Sequence, residues 1–310
     1  MVLVSVVIPL YNKKNFVGRT IRSVLAQTFH DFEIIIVDDG SVDGSGEVVK
    51  TFLDSRIRFF RQENQGVSSA RNNGVRNARA DFIAFLDADD EWFPDHLKTL
   101  VQLRNKYPDA GAYTTAYKIL QPDGKIRSAR YYAIPANPHE GLIQDYFKSA
   151  TFGDSPMNSS STAVSKAIFF EFGGFPESAW WGEDADLFGR IALRYTIAFS
   201  WDGGAIYHWD TSHRVCGRPC LEPEPFVINA YRELSSEHID ERVRKFLREY
   251  IARKELYRAA SQLYVGNKKK AREILKTIST NYFRPRKYLL LIISILPRSI
   301  ICLILGSYFS

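Results

Sequence analysis

At 310 residues, with 45% hydrophobic and 25% charged residues, the chain has the composition of one large globular domain or a domain with an appendage, not of a low-complexity segment. Its 41 Lys and Arg against 35 Asp and Glu give a net charge of +6, a balance that suits nucleic acid, an anionic membrane surface or a phosphorylated ligand. The basic excess sits between Arg242 and Lys287, remote from the acidic clusters of the first half, which argues against nucleic acid as the partner. Cysteine occurs only at Cys216, Cys220 and Cys302, which excludes a disulfide framework and points to a reducing compartment. Met1 to Pro9 is too short for a secretory h-region and has no basic n-region, so a cytoplasmic protein is expected.

The first half alternates short β-branched runs with segments of helical period: 4–8 then 16–27, 33–37 then 44–53, 57–60 then 67–78, and 82–86 then 94–106. The runs Val-Ser-Val-Val-Ile and Ile-Ile-Ile-Val are nearly continuous in apolar residues, as strands are when helices cover both faces of a parallel sheet. The expected fold is α/β, with a doubly wound, mainly parallel sheet. Residues 121–156 carry several Pro and Gly and read as loop with short elements. Strand and helix signals return at 160–164 and 166–172, then a helix over 184–195 and two short strands at 197–201 and 205–209.

From 226 the chain is charged and of helical period, and residues 257–263, Gly266 and 271–278 read as a helical hairpin. Residues 288–309 are strongly apolar and follow Arg284, Arg286 and Lys287, but Pro297 cuts them into halves too short to cross a bilayer as straight helices. An interfacial or re-entrant anchor on the cytoplasmic face of a membrane is the expectation, against a segment folded onto the protein's own core or a dimer partner. The division expected is 1–225, made of a nucleotide-binding half (1–110) and an acceptor half (111–225), then a helical appendage at 226–283 and an apolar tail at 284–310.

In an open α/β sheet, ligands bind beyond the carboxyl ends of the strands. Strand one ends at Pro9-Leu10-Tyr11-Asn12, strand two at Asp38-Asp39-Gly40-Ser41 and strand four at Asp87-Ala88-Asp89-Asp90, so three strand ends converge on one crevice. The Asp38-Asp39 pair is either a helix entry favoured by the positive helix terminus or an acceptor for a base N–H or ribose hydroxyl. Several carboxylates at the mouth of an apolar strand repel one another, and a divalent cation relieves that cost. Mg2+ or Mn2+ takes one or two carboxylates and completes its shell with water and phosphate oxygens, so the site implies a diphosphate. Between these motifs, Asn64-Gln65-Gly66 opens a helix bearing Arg71, either solvated there or paired with a nucleotide phosphate.

Val-Ser-Val-Val-Ile-Pro-Leu-Tyr-Asn, Val-Asp-Asp-Gly-Ser, Asn-Gln-Gly with Ser-Ala-Arg-Asn, and Leu-Asp-Ala-Asp-Asp resemble, in order and spacing, the signature series of family 2 glycosyltransferases across roughly residues 1–210. The resemblance implies a GT-A fold, a nucleotide sugar donor and a divalent metal. It places Pro9, Tyr11, Asp39 and Arg71 at the nucleotide with Asp38 beside it. It makes Asp87 and Asp89 the Asp-x-Asp pair, with Asp89 the direct metal ligand and Asp87 toward ribose or metal-bound water.

Trp180-Trp181-Gly182-Glu183-Asp184 resembles the family's acceptor motif and implies Asp184 as general base. Glu183, Trp180 and Trp181 would then line the acceptor site, or be a helix terminus and core. His208 ends the last strand as a possible further metal ligand, displaced from the family's usual offset, where Asp210 stands. His208, His213, Cys216 and Cys220 do not have zinc-ligand spacing. No Gln-x-x-Arg-Trp run follows Asp184, which points to non-processive transfer. The expected enzyme is an inverting hexosyltransferase, taking a UDP-sugar by preference, with a hydroxyl of a glycan or lipid-linked acceptor in surface polysaccharide synthesis. The alternatives are a polyprenyl-phosphate sugar transferase and a non-catalytic nucleotide-sugar or glycan-binding module.

Overall fold

Every residue of the first strand, β1 (Val4–Leu10), is buried, as an apolar strand must be when both faces of its sheet are covered. The computed structural model describes residues 2–134, 136–209, 219–236 and 239–309. After β1 come α1 (Val17–Leu25), β2 (Phe32–Asp39), α2 (Ser45–Lys50), β3 (Ile57–Gln62), α3 (Val67–Asn77), β4 (Phe82–Phe85), β5 (Glu91–Trp92), α4 (His96–Lys106) and β6 (Ala112–Leu120). The chain continues through β7 (Ile126–Ser128), β8 (Glu140–Ile143), α5 (Tyr146–Phe152), a 3-10 turn (Ser159–Ser161), β9 (Thr162–Ser165), α6 (Lys166–Glu171), α7 (Glu183–Ala192) and β10 (Ile197–His208). It ends in α8 (Pro225–Leu234), α9 (Glu241–Tyr264), α10 (Lys268–Thr277), α11 (Arg284–Ile293) and α12 (Arg298–Phe309).

The strands lie in the order β3-β2-β1-β4-β9-β6-β10-β5, with β7 added to β6 and β8 to β10. The first four are mutually parallel, and β9 enters antiparallel between β4 and β6. Because side chains alternate along a strand, β1 and β2 serve two cores at once. Val6, Ile8, Ile34 and Ile36 pack with residues of α1 and α4, whereas Val7, Ile35 and Val37 pack with residues of α3, α7 and α8. The α3 helix lies so close to β1 that a Cβ on Gly74 would stand 2.4 Å from Val7 Cγ1.

The stretch 197–209, expected as two strands, holds the one strand β10 (Ile197–His208), whose register shifts between Ser200 and Ala205. A bulge absorbs the interruption without ending the ladder. Gly204 makes it possible, since a Cβ there would come within 2.0 Å of Thr115 Oγ1 and 2.1 Å of His96 Nδ1. The stretch 121–156 contains β7, β8 and α5, elements of three to seven residues and too short for a period to show in sequence.

The C-terminal helices divide between two cores. Phe226 and Val227 of α8, with Phe246, Leu247 and Tyr250 of α9, join the cluster under the sheet. Farther along α9, Leu256 and Leu263 pack with Leu275 of α10, Leu290 of α11 and Ile301 and Leu305 of α12. The expected hairpin is the α9–α10 turn, reversed at Gly266 with φ +99°. The apolar tail breaks at Pro297 and lays its inner side chains on this second core. No helix among the described residues is long and apolar enough to cross a membrane.

Candidate active site

Parallel register brings the acidic motifs together. Pro9 pairs with Val37 and Leu10 with Asp38, and Phe85 stands beside Val7, so β1, β2 and β4 all stop at one edge. Tyr11 is 48% exposed there, immediately beyond Pro9. The two adjacent aspartates of β2 then part company. Asp38 is wholly buried; it accepts Ser41 N–H at 2.9 Å and lies 3.3 Å from Arg61, so it anchors the turn rather than facing the crevice. Asp39 accepts Gln62 Nε2 and Gln65 N–H on one oxygen, each at 2.9 Å, and Gly66 N–H on the other at 2.8 Å. It thereby fixes the Asn64-Gln65-Gly66 turn that starts α3. A carboxylate has about four acceptor positions, so Asp39 retains capacity for one more donor.

Arg71, on the first turns of α3, is 3% exposed. Its guanidinium donates to Asp87 Oδ1 at 2.6 Å and to Glu183 Oε1 at 2.7 Å, and lies over the Phe175 ring at 5.1 Å. The planar fork of arginine suits such a double ion pair. Burial disfavours its charge, but Asp87 and Glu183 overcome this and raise its pKa above the ordinary arginine value. One buried cation therefore ties the β4 end to the N-terminus of α7.

At the β4 end the carboxylates have separate environments. Asp89 Oδ2 receives Lys13 Nζ at 2.6 Å. Arg19 donates to the Asp89 carbonyl at 2.7 Å and lies 3.1 Å from Glu91. Asp90 is fully buried, accepts from Ser160 Oγ and takes His208 N–H at 2.9 Å; burial first, then Asp89 and Asp87, push its carboxyl well above the usual range. It joins the 3-10 turn and β10 to the acidic loop. His208 is buried with Nε2 2.9 Å from Glu91 Oε1.

No group of three or more metal-ligating side chains occurs among the described residues. Asp87 and Asp89 nevertheless fit a divalent cation. Both already draw a cationic side chain, and Mg2+ or Mn2+ bound to a diphosphate needs one or two carboxylates from the protein.

Asp184 lies in the first turn of α7, behind Gly182 with φ +69°. Its Oδ1 accepts the Ala185 N–H at 2.7 Å. Burial, then the Glu183 charge and more weakly Asp87, push its pKa up to about 7 against the opposing pull of Arg71. Burial raises the pKa of the Tyr117, Tyr146 and Tyr250 hydroxyls, and Tyr250 donates to Glu224 Oε1 at 2.8 Å. Trp180 is 52% exposed and its ring centroid is 6.0 Å from that of Trp181. Lys13, Arg19 and Glu91 were not anticipated from sequence. The signal available for the two cations was their position in and after the loop leaving β1, next to the strand-end acids.

The family model described as glycosyl transferase family 2 matches residues 5–169. The chain belongs to glycosyl transferase family 2. Among relatives, an uncharacterised glycosyltransferase of Rickettsia conorii is 33% identical over 195 residues, 63% of this chain and 31% of that protein. Glycosyltransferase GlyA of Streptococcus pneumoniae is 36% identical over 154 residues, 49% of this chain and 19% of that one. The chain thus spans about a third or less of these family members. The 1–349 fragment of TarS of Staphylococcus aureus in complex with UDP-GlcNAc shares the fold at a TM-score of 0.69 and 16% identity, over 89% of this chain and 82% of that fragment. The mannosyltransferase PcManGT of Pyrobaculum calidifontis, in complex with GDP-Man and Mn2+, aligns with a TM-score of 0.61 and 18% identity, over 93% and 78%. The family 2 fold is GT-A, and the motifs described above lie on the strand ends of that fold.

Proposed function

We propose that this chain is an inverting, non-processive glycosyltransferase, moving one sugar from a nucleoside diphosphate sugar to a hydroxyl of a glycan or glycolipid in surface polysaccharide synthesis. The observation that carries the reading is Asp184. Its pKa of about 7 is that of a base poised at neutral pH, and the Glu183–Arg71–Asp87 chain fixes its helix terminus to the strand-end carboxylates.

Tyr11 and the remaining acceptor position of Asp39 receive the base and ribose beyond Pro9. Trp180 and Trp181 offer aromatic faces to the acceptor sugar. Asp184 takes the proton of the acceptor hydroxyl as that oxygen bonds to the anomeric carbon and the carbon–oxygen bond to the diphosphate breaks, in one displacement that inverts the centre. Asp89 and Asp87 would hold Mg2+ or Mn2+, which neutralises charge on the departing diphosphate when bound. His208 braces the acidic loop through Glu91 and Asp90. UDP is the favoured nucleotide: TarS, the neighbour with the higher TM-score of the two, is in complex with a UDP-sugar.

The test is release of nucleoside diphosphate from a panel of UDP-, GDP- and dTDP-sugars with Mn2+ or Mg2+, in the presence of membrane and glycan extracts. Metal-dependent release that Asp184→Asn abolishes supports the reading. Donor binding without release across the panel would make the chain a binding module.

A further inference from the structure

The last two helices bury one side and expose another that is just as apolar. Leu290, Ile293, Ile301 and Leu305 close the second core, while Leu289, Ile292, Ile295, Ile300, Leu303 and Ile304 face outward, Ile295 at 73% and Leu303 at 82% exposure. Single exposed apolar residues are ordinary, but a contiguous set on one supersecondary unit marks an interaction surface. The outward residues come from both helices and from the turn between them, on either side of the break at Pro297.

The charges beside that face identify what covers it. Residues 284–310 contain Arg284, Arg286, Lys287 and Arg298 and no acidic residue. The adjoining α10 adds Lys269, Lys270 and Lys276, all exposed. Two basic groups brace α11: Arg272 donates to Ser294 Oγ and its carbonyl, and Lys287 donates to the Ile278 carbonyl at 2.7 Å. The apolar face is therefore held in shape by the same basic surface that borders it. Lengths exclude a span, since α11 has 10 residues and α12 has 12, or about 15 and 18 Å at ~1.5 Å per residue against a hydrocarbon core of ~30 Å.

We propose that the helices α11 and α12, with the lysines of α10, are a docking surface for an anionic lipid bilayer, lying in the interface with their outer apolar residues among the acyl chains and their basic border on the headgroups. Apolar burial and headgroup attraction act together there, and neither suffices by itself for stable binding. The same helix α9 carries Tyr250 in the core under the sheet and Leu263 in the second core, about 20 Å apart along its axis.

The test is cosedimentation of the full chain with vesicles of phosphatidylcholine alone and with about one third phosphatidylglycerol. The proposal expects binding to the anionic vesicles that weakens with added salt. Ile292→Ser/Ile295→Ser/Leu303→Ser and Lys269→Gln/Lys270→Gln/Lys276→Gln should each lower that binding about tenfold or more, with the unfolding midpoint held. No binding to either vesicle, or binding by both variants equal to that of the unsubstituted chain, overturns it. So does a dimer in solution that the serine variant dissociates in a protein that ignores vesicles, which would make a second copy the occupant. Vesicle binding is read without turnover, so this result stands apart from that of the donor panel.

Discussion

Replacing Asp184 by Asn should make the protein more stable and less active, and the pH dependence of the gain identifies its cause. The native carboxyl has a pKa near 7 against an ordinary 3.8. Between those values the folded protein holds a proton that the unfolded chain has released. Stability therefore falls as pH rises from about 4 to about 7 and stays lowered above that. Three pH units correspond to about 4 kcal/mol; Asp184 is partly open to solvent and near Arg71, so about 2–4 kcal/mol is the expected penalty at pH 8. Asn keeps the shape and removes the charge, so Asp184→Asn should melt about 4–8 °C higher than the wild type at pH 8 and level with it near pH 4. Sugar transfer at pH 8 should fall by about 10²–10⁴. Thermal unfolding in chelator across that pH range measures the gain. A variant less stable at pH 8, or one whose advantage is the same at pH 4, would refute the reasoning.

Arg71→Ala should cost about 3–5 kcal/mol in urea unfolding, because it leaves Asp87 and Glu183 facing each other without their buried cation. Arg71→Lys should recover only part of this, since an ammonium cannot present a fork to two carboxylates. Asp89→Asn should fold normally but lose the metal-dependent increment in nucleoside diphosphate affinity, measured by calorimetry with and without Mn2+. Gly204→Ala should destabilise by about 3 kcal/mol or more in the same urea assay, because its Cβ has no room against Thr115 and His96.

The strand-end acids were legible because parallel strands separated by helices must end on one edge, and the motifs follow the runs directly. The sequence did not reveal which aspartate of an adjacent pair turns inward. In β2, alternation sends Asp38 and Asp39 to opposite faces, and only the packed neighbours decide that Asp38 meets Arg61 and Asp39 the α3 turn. The Arg71 bridge was equally hidden, since its partner Glu183 lies 112 residues away, and local pattern carries nothing about such a distance. Asp90, adjacent to Asp89 in sequence, proved to be a buried brace because β10 passes beside it. In the C-terminal part, helical period was plain, but period does not tell which core a helix serves, and α9 serves two.

The central claim is a single inverting displacement with Asp184 as base, and the anomeric configuration of the product tests it most directly. With an α-linked nucleotide sugar as donor, the anomeric proton coupling of the purified product should be that of a β linkage. A product that retains the α configuration would contradict the account.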